Sequence, residues 1–107
     1  MSNFDKREEG FEKKFAHDEE LRFKAHARRN KLVGLWAAEK LGLTGAAAEA
    51  YAKDVVTADM DKPDSDGVFG KLRRDFDEKG VAQSDHQIRR TIEEAAAKAV
   101  EEIQSGR

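Results

Sequence analysis

The sequence predicts an all-α fold, a small four-helix bundle with a long first helix. Three observations carry this. Apolar residues recur at three- and four-residue spacing from about residue 20 onward. No run of β-branched and aromatic residues alternates with period two, as a strand would require. Short polar stretches around Gly42, Pro63 and Gly80 separate the helical segments, and short connections join antiparallel neighbours.

The first helix is expected over residues 18–41, with Leu21, Ala25, Leu32, Leu35, Trp36 and Glu39 on one broad face and Phe23 to its side. Trp36 is its largest apolar contribution. Gly34 sits inside this helix, where glycine costs about 1 kcal/mol relative to alanine. Close approach by a neighbouring helix is the expected reason. Gly42 stands where a C-terminal cap belongs. Thr44 is the expected N-cap of the second helix, whose stripe is Ala47, Tyr51, Val55 and Ala58. Its alanines favour helix but bury little area, so a thin, closely packed core follows. Residues 59–67 read as a polar turn around Pro63, with Ser65 or Asp66 capping the third helix. Val68, Phe69, Leu72 and Phe76 form that helix's stripe, and Gly80 ends it. Ser84 and Gln87 make a capping-box pattern ahead of Ile88, Ile92, Ala95, Ala99 and Ile103.

Residues 1–17 fit this bundle less well, so the chain divides into an N-terminal segment, 1–17, and a bundle, 18–107. Phe4, Phe11 and Phe15, spaced by seven and four, share one face if the segment is helical. Charged residues fill the gaps, and Gly10 interrupts the run. A helix this short is marginal alone, so the segment is expected to be mobile in the free protein and helical only against a partner. From the residues alone two readings stay open. The phenylalanines extend the first helix and staple it to the bundle, or they anchor a recognition helix in a partner's groove.

Composition bounds the function. At 107 residues the chain fits one small domain, and 38% hydrophobic against 39% charged residues lies near the lower edge for a globular core. A net charge of −2 argues against non-specific nucleic-acid binding and against a polybasic membrane anchor. Without cysteine there is no disulfide, thiolate nucleophile or cysteine metal site. The first ten residues hold no apolar signal core, and no apolar stretch is long enough to span a bilayer. A soluble, cytoplasmic protein is expected.

Catalytic and metal patterns fail on spacing. Asp59, Asp61, Asp64 and Asp66 cluster, but an EF-hand beginning at Asp59 would need glycine where Asp64 stands. His17, His26 and His86 include no four-residue pair for a helical zinc site. His17, beside Asp18, is the candidate for titration near neutral pH. Arg28, Arg29 and Lys31 form a basic patch that could take ADP or ATP weakly. Arg73 with Arg74, and Arg89 with Arg90, read as salt-bridge partners for the many glutamates. No Walker pattern and no nucleophile elbow is present, so no enzyme activity and no required cofactor is expected.

Residues 14–42, KFAHDEELRFKAHARRNKLVGLWAAEKLG, resemble the zeta-subunit family of alphaproteobacterial F-type ATP synthases, inhibitors of ATP hydrolysis. FAHDEEL, FKAHARRNKL and GLWAAE carry the likeness, and AAEAYAKDVVTADM continues it more loosely. The resemblance implies a four-helix bundle with a mobile inhibitory N-terminus. That segment wedges as a helix between an alpha and a beta subunit and reaches toward the central-stalk gamma subunit. Carried onto this chain, residues 1–17 are inhibitory. Phe4, Phe11 and Phe15 are then the apolar anchors, with Asp5, Arg7, Glu8, Lys13 and Lys14 in polar contact. The likeness tips the phenylalanines toward a partner's interface. It implies a protein monomeric when free and peripheral to the inner membrane through the synthase.

Overall fold

In a computed structural model that describes residues 19–61 and 65–105, four α-helices follow one another. They are α1, Glu19–Lys40; α2, Gly45–Asp61; α3, Ser65–Lys79; and α4, Asp85–Gln104. The all-α expectation holds, and α1 is the longest helix at 22 residues. Consecutive helices pack on one another and α4 returns against α1, closing the ring. The expected N-terminal segment, residues 1–17, lies outside the described residues, so Phe4, Phe11, Phe15 and His17 are not placed.

Glycine and serine set the ends of the helices. Gly42 adopts φ 79°, the left-handed conformation that a residue without Cβ takes at little cost. Its N–H donates to the Glu39 carbonyl at 3.1 Å, and the Leu43 N–H to that of Ala38 at 2.8 Å, a Schellman closure of α1. The same pair of bonds recurs at Gly80, φ 69°, which donates to Asp77 while Val81 donates to Phe76. Ser84 caps α4 reciprocally. Its hydroxyl accepts from the Gln87 N–H, and the Gln87 side chain accepts from the Ser84 N–H, each at 3.0 Å. Thr44 precedes α2 as expected, and its carbonyl accepts from the N–H groups of Ala47 and Ala48. The polar turn expected over residues 59–67 is narrower, because α2 runs through Asp61. α3 already begins at Ser65, so Ser65 and Asp66 lie within the helix rather than ahead of it.

The core is built on Val33, Val55, Val68, Leu72, Phe76 and Ile88, all fully buried, with Ile92 beside them. Trp36 closes it edge-on against Phe76, ring centroids 5.7 Å apart at 84°. Two stripes need correction. α1 buries Ala25, Arg29, Asn30, Val33, Gly34, Ala37 and Ala38, a face rotated from the one expected. Leu32, Leu35 and Trp36 are only partly buried, Leu21 likewise, and Glu39 is exposed. On α2, Ala47 is exposed, while Ala52 is buried and Ala48 packs against the core. The reason is proximity. A Cβ added at Gly34 would stand 2.6 Å from the Ala52 Cα, so α1 and α2 touch through their smallest residues. Bulky leucines cannot occupy that contact and are displaced to the flanks.

Candidate partner-binding surfaces

Two ion pairs fix α1 against the ends of its neighbours. Arg28 donates to Glu102 of α4 at 3.0 Å, and Arg29 donates to Asp59 of α2 at 3.1 Å. Asp59 and Glu102 both lie two residues from the ends of their helices, so the first turns of α1 project past them. Residues 19, 20, 22, 23 and 24 are accordingly exposed, Phe23 at 67%. Met60, at the same end of the bundle, is 65% exposed.

The basic patch read from the sequence is divided by the helix. Arg29 turns inward, 8% exposed, its Nε donating to the Asn30 side chain at 2.9 Å and its terminal nitrogen to Asp59. A guanidinium paired and hydrogen-bonded in this way satisfies a charge that would otherwise be costly to bury. Arg28 and Lys31 turn outward into an open groove of about 930 Å³. Its floor follows α1 through Leu21, Lys24, Arg28, Lys31 and Leu35. Glu49, Lys53 and Val56 of α2 wall one side, and Glu102 and Ile103 of α4 the other. Leu21 and Leu35, read from the sequence as core, thus line this surface. The signal that could have found it is the 3-4-3-4 spacing of those five α1 positions, masked by the three cations among them.

The other polar clusters serve the fold. Tyr51 is buried and its hydroxyl donates to Asp75 at 2.7 Å, while Lys71 donates to the same carboxylate at 3.0 Å and lies over the tyrosine ring. Burial first, then the hydrogen bond to Asp75, pushes the phenol far above its ordinary range. Arg73 ties α3 to the start of α4 through Asp77, Asp85 and the Gln83 carbonyl. Arg90 pairs with Glu94, and Arg89 lies over the Phe69 ring. His26 and His86 are exposed. No cluster of three or more potential metal ligands occurs among the described residues, and none of their helices is long and apolar enough to cross a membrane.

Fold and surface together define a class: small antiparallel four-helix bundles that leave one helix exposed along an open, basic groove. Comparison with known proteins narrows this. The chain belongs to the family described as ATPase inhibitor subunit zeta, whose model matches residues 1–102. A protein of known solution NMR structure shares 39% identity, with a TM-score of 0.71 over 81% of this chain and 99% of that one. No functionally curated protein matches the chain.

Proposed function

We propose that the protein inhibits ATP hydrolysis by the F-type ATP synthase, its N-terminal segment entering a catalytic alpha–beta interface as a helix and blocking rotation. The observation that carries this reading is the extent of the family match, which begins at residue 1 and so takes in the whole segment 1–17. In this mechanism Phe4, Phe11 and Phe15 anchor the wedge, each worth roughly 1.5–3 kcal/mol when fully buried. Asp5, Arg7, Glu8, Lys13 and Lys14 make its polar contacts with the alpha, beta and gamma subunits. Part of the aromatic gain offsets the entropy of ordering the segment. Rotary catalysis opens and closes the alpha–beta interfaces in sequence. A helix trapped in a closing interface halts hydrolysis, and rotation in the synthesis direction expels it. The bundle docks outside and holds the wedge in place. The inhibitor is a monomer when free, and it acts on the cytoplasmic face of the inner membrane.

ATP hydrolysis by the soluble catalytic sector tests this. The full chain inhibits, and a chain lacking residues 1–17 does not. Inhibition by both would move the inhibitory contact into the bundle, and inhibition by neither would overturn the reading. Equal block of synthesis and hydrolysis at matched occupancy would remove its directional part. The second reading, an ADP- or ATP-responsive regulator, draws on Arg28 and Lys31 at the groove. It is the weaker one, because Arg28 is already paired with Glu102 and Arg29 faces Asp59.

A further inference from the structure

The outward face of α1 has the geometry of a helix seam. Leu21, Lys24, Arg28, Lys31 and Leu35 recur at three- and four-residue steps, the spacing by which one helix meets another along its length. At about 1.5 Å per residue the stripe runs for roughly 21 Å. Its two ends are apolar, and Leu32, Val56 and Ile103 add partly buried apolar side chains beside it. Its middle is cationic. Lys24, Arg28, Lys31 and Lys53 outnumber the lining carboxylates Glu49 and Glu102, and one positive charge remains in excess when Glu20, the partner of Lys24, is counted, on a chain whose net charge is −2. Lys31 and Lys53 make no ion pair among the described residues, and Lys24 pairs only with exposed Glu20 on its own helix.

We infer that this groove docks an amphipathic helix of a partner protein, apolar at both ends and acidic between them. Charge complementarity selects the occupant. A second copy of the chain would set cations against cations. A nucleotide would leave the apolar ends uncovered, and the lining holds no aromatic ring on which a base could stack. An acidic helix covers the leucines and neutralises the lysines together. This docking site is distinct from the N-terminal wedge and does not depend on which enzyme the wedge enters.

The test uses the full chain, nitrogen-15 labelled, titrated with a synthetic helix of about three heptads bearing leucine at its outer seam positions and glutamate at the inner ones. Saturable amide shifts are expected at residues 21–35, 49–56 and 102–103. The triple variant Lys24→Glu, Lys31→Glu, Lys53→Glu should bind the peptide at least tenfold more weakly. All three lysines are exposed, so the variant's helicity, checked by circular dichroism, should be unchanged. Raising the salt concentration should weaken the wild-type complex and spare whatever the variant retains. Equal binding by wild type and variant overturns the inference, as does absence of shifts at the groove. Shifts there with ATP but not with the peptide would make it a small-molecule site. Shifts produced by deleting residues 1–17 alone would assign it to the chain's own N-terminal segment. Since the probe contains no part of ATP synthase, its failure leaves the inhibitor reading standing, and loss of that reading leaves the groove standing.

Discussion

Two residues bear more on this fold than their size suggests. Gly34 lets α1 and α2 meet. Gly34→Ala would gain about 1 kcal/mol of helix propensity, but its methyl would stand 2.6 Å from a backbone atom and 3.1 Å from the Ala52 Cβ. Forcing the helices apart costs roughly 1–3 kcal/mol, so net destabilisation is expected, seen as a lower urea midpoint. A rise in that midpoint would mean that the contact relaxes freely. Tyr51 is the second. Its phenol is raised in the folded state, so its contribution is fully present below the unfolded value near pH 10 and is lost as pH climbs above it. Unfolding free energy should therefore fall between about pH 10 and 11 by up to ~1.4 kcal/mol per pH unit more in wild type than in Tyr51→Phe. Denaturant midpoints of the two proteins across that range decide it, and parallel curves would contradict it.

At the scale of the helix, ends are better determined than faces. The reciprocal Ser84–Gln87 cap should make Ser84→Ala cost about 1 kcal/mol, read as a lower thermal midpoint with helix content retained. That cap was legible from two residues three apart, and Gly42 and Gly80 marked helix ends by the same local chemistry. α3 and α4 were legible too, because Leu72, Phe76, Ile88 and Ile92 are large, apolar and confined to one side. α1 was not. Its core side carries Arg29, Asn30 and Gly34, which periodicity counts as polar or neutral, while Leu21 and Leu35 face the groove. The helix has apolar character on opposite faces, and no rule of spacing ranks one above the other. What decides is the distance to α2, a property of two helices together. The role of Gly34 could be stated from α1 alone, but the partner residue, Ala52, could not.

For the molecule as a whole, inhibition and stability should separate. Phe11→Ala with Phe15→Ala in the full chain is expected to weaken inhibition of hydrolysis by tenfold or more. The thermal midpoint should change little if these rings serve a partner, whereas a matching loss of stability would return them to the bundle. The division expected at residue 17 rests on a change in composition and aromatic spacing, together with family likeness. The groove needed three helices brought together before Lys24, Arg28 and Lys53 could be seen as one surface.

A wedge of the kind proposed, held in a rotary machine, must also withstand being pulled. Were the N-terminal segment that wedge, tension on it would pass into α1, the helix that packs on both α2 and α4. Loaded this way, the interfaces are sheared along their length instead of peeled open from one end. Sliding α1 along its axis would carry Gly34 off Ala52, and a Cβ brought into that contact would stand closer to the Ala52 backbone than side chains can. The close contact of Gly34 with Ala52 thus doubles as a mechanical detent that would hold the register of the strut under load.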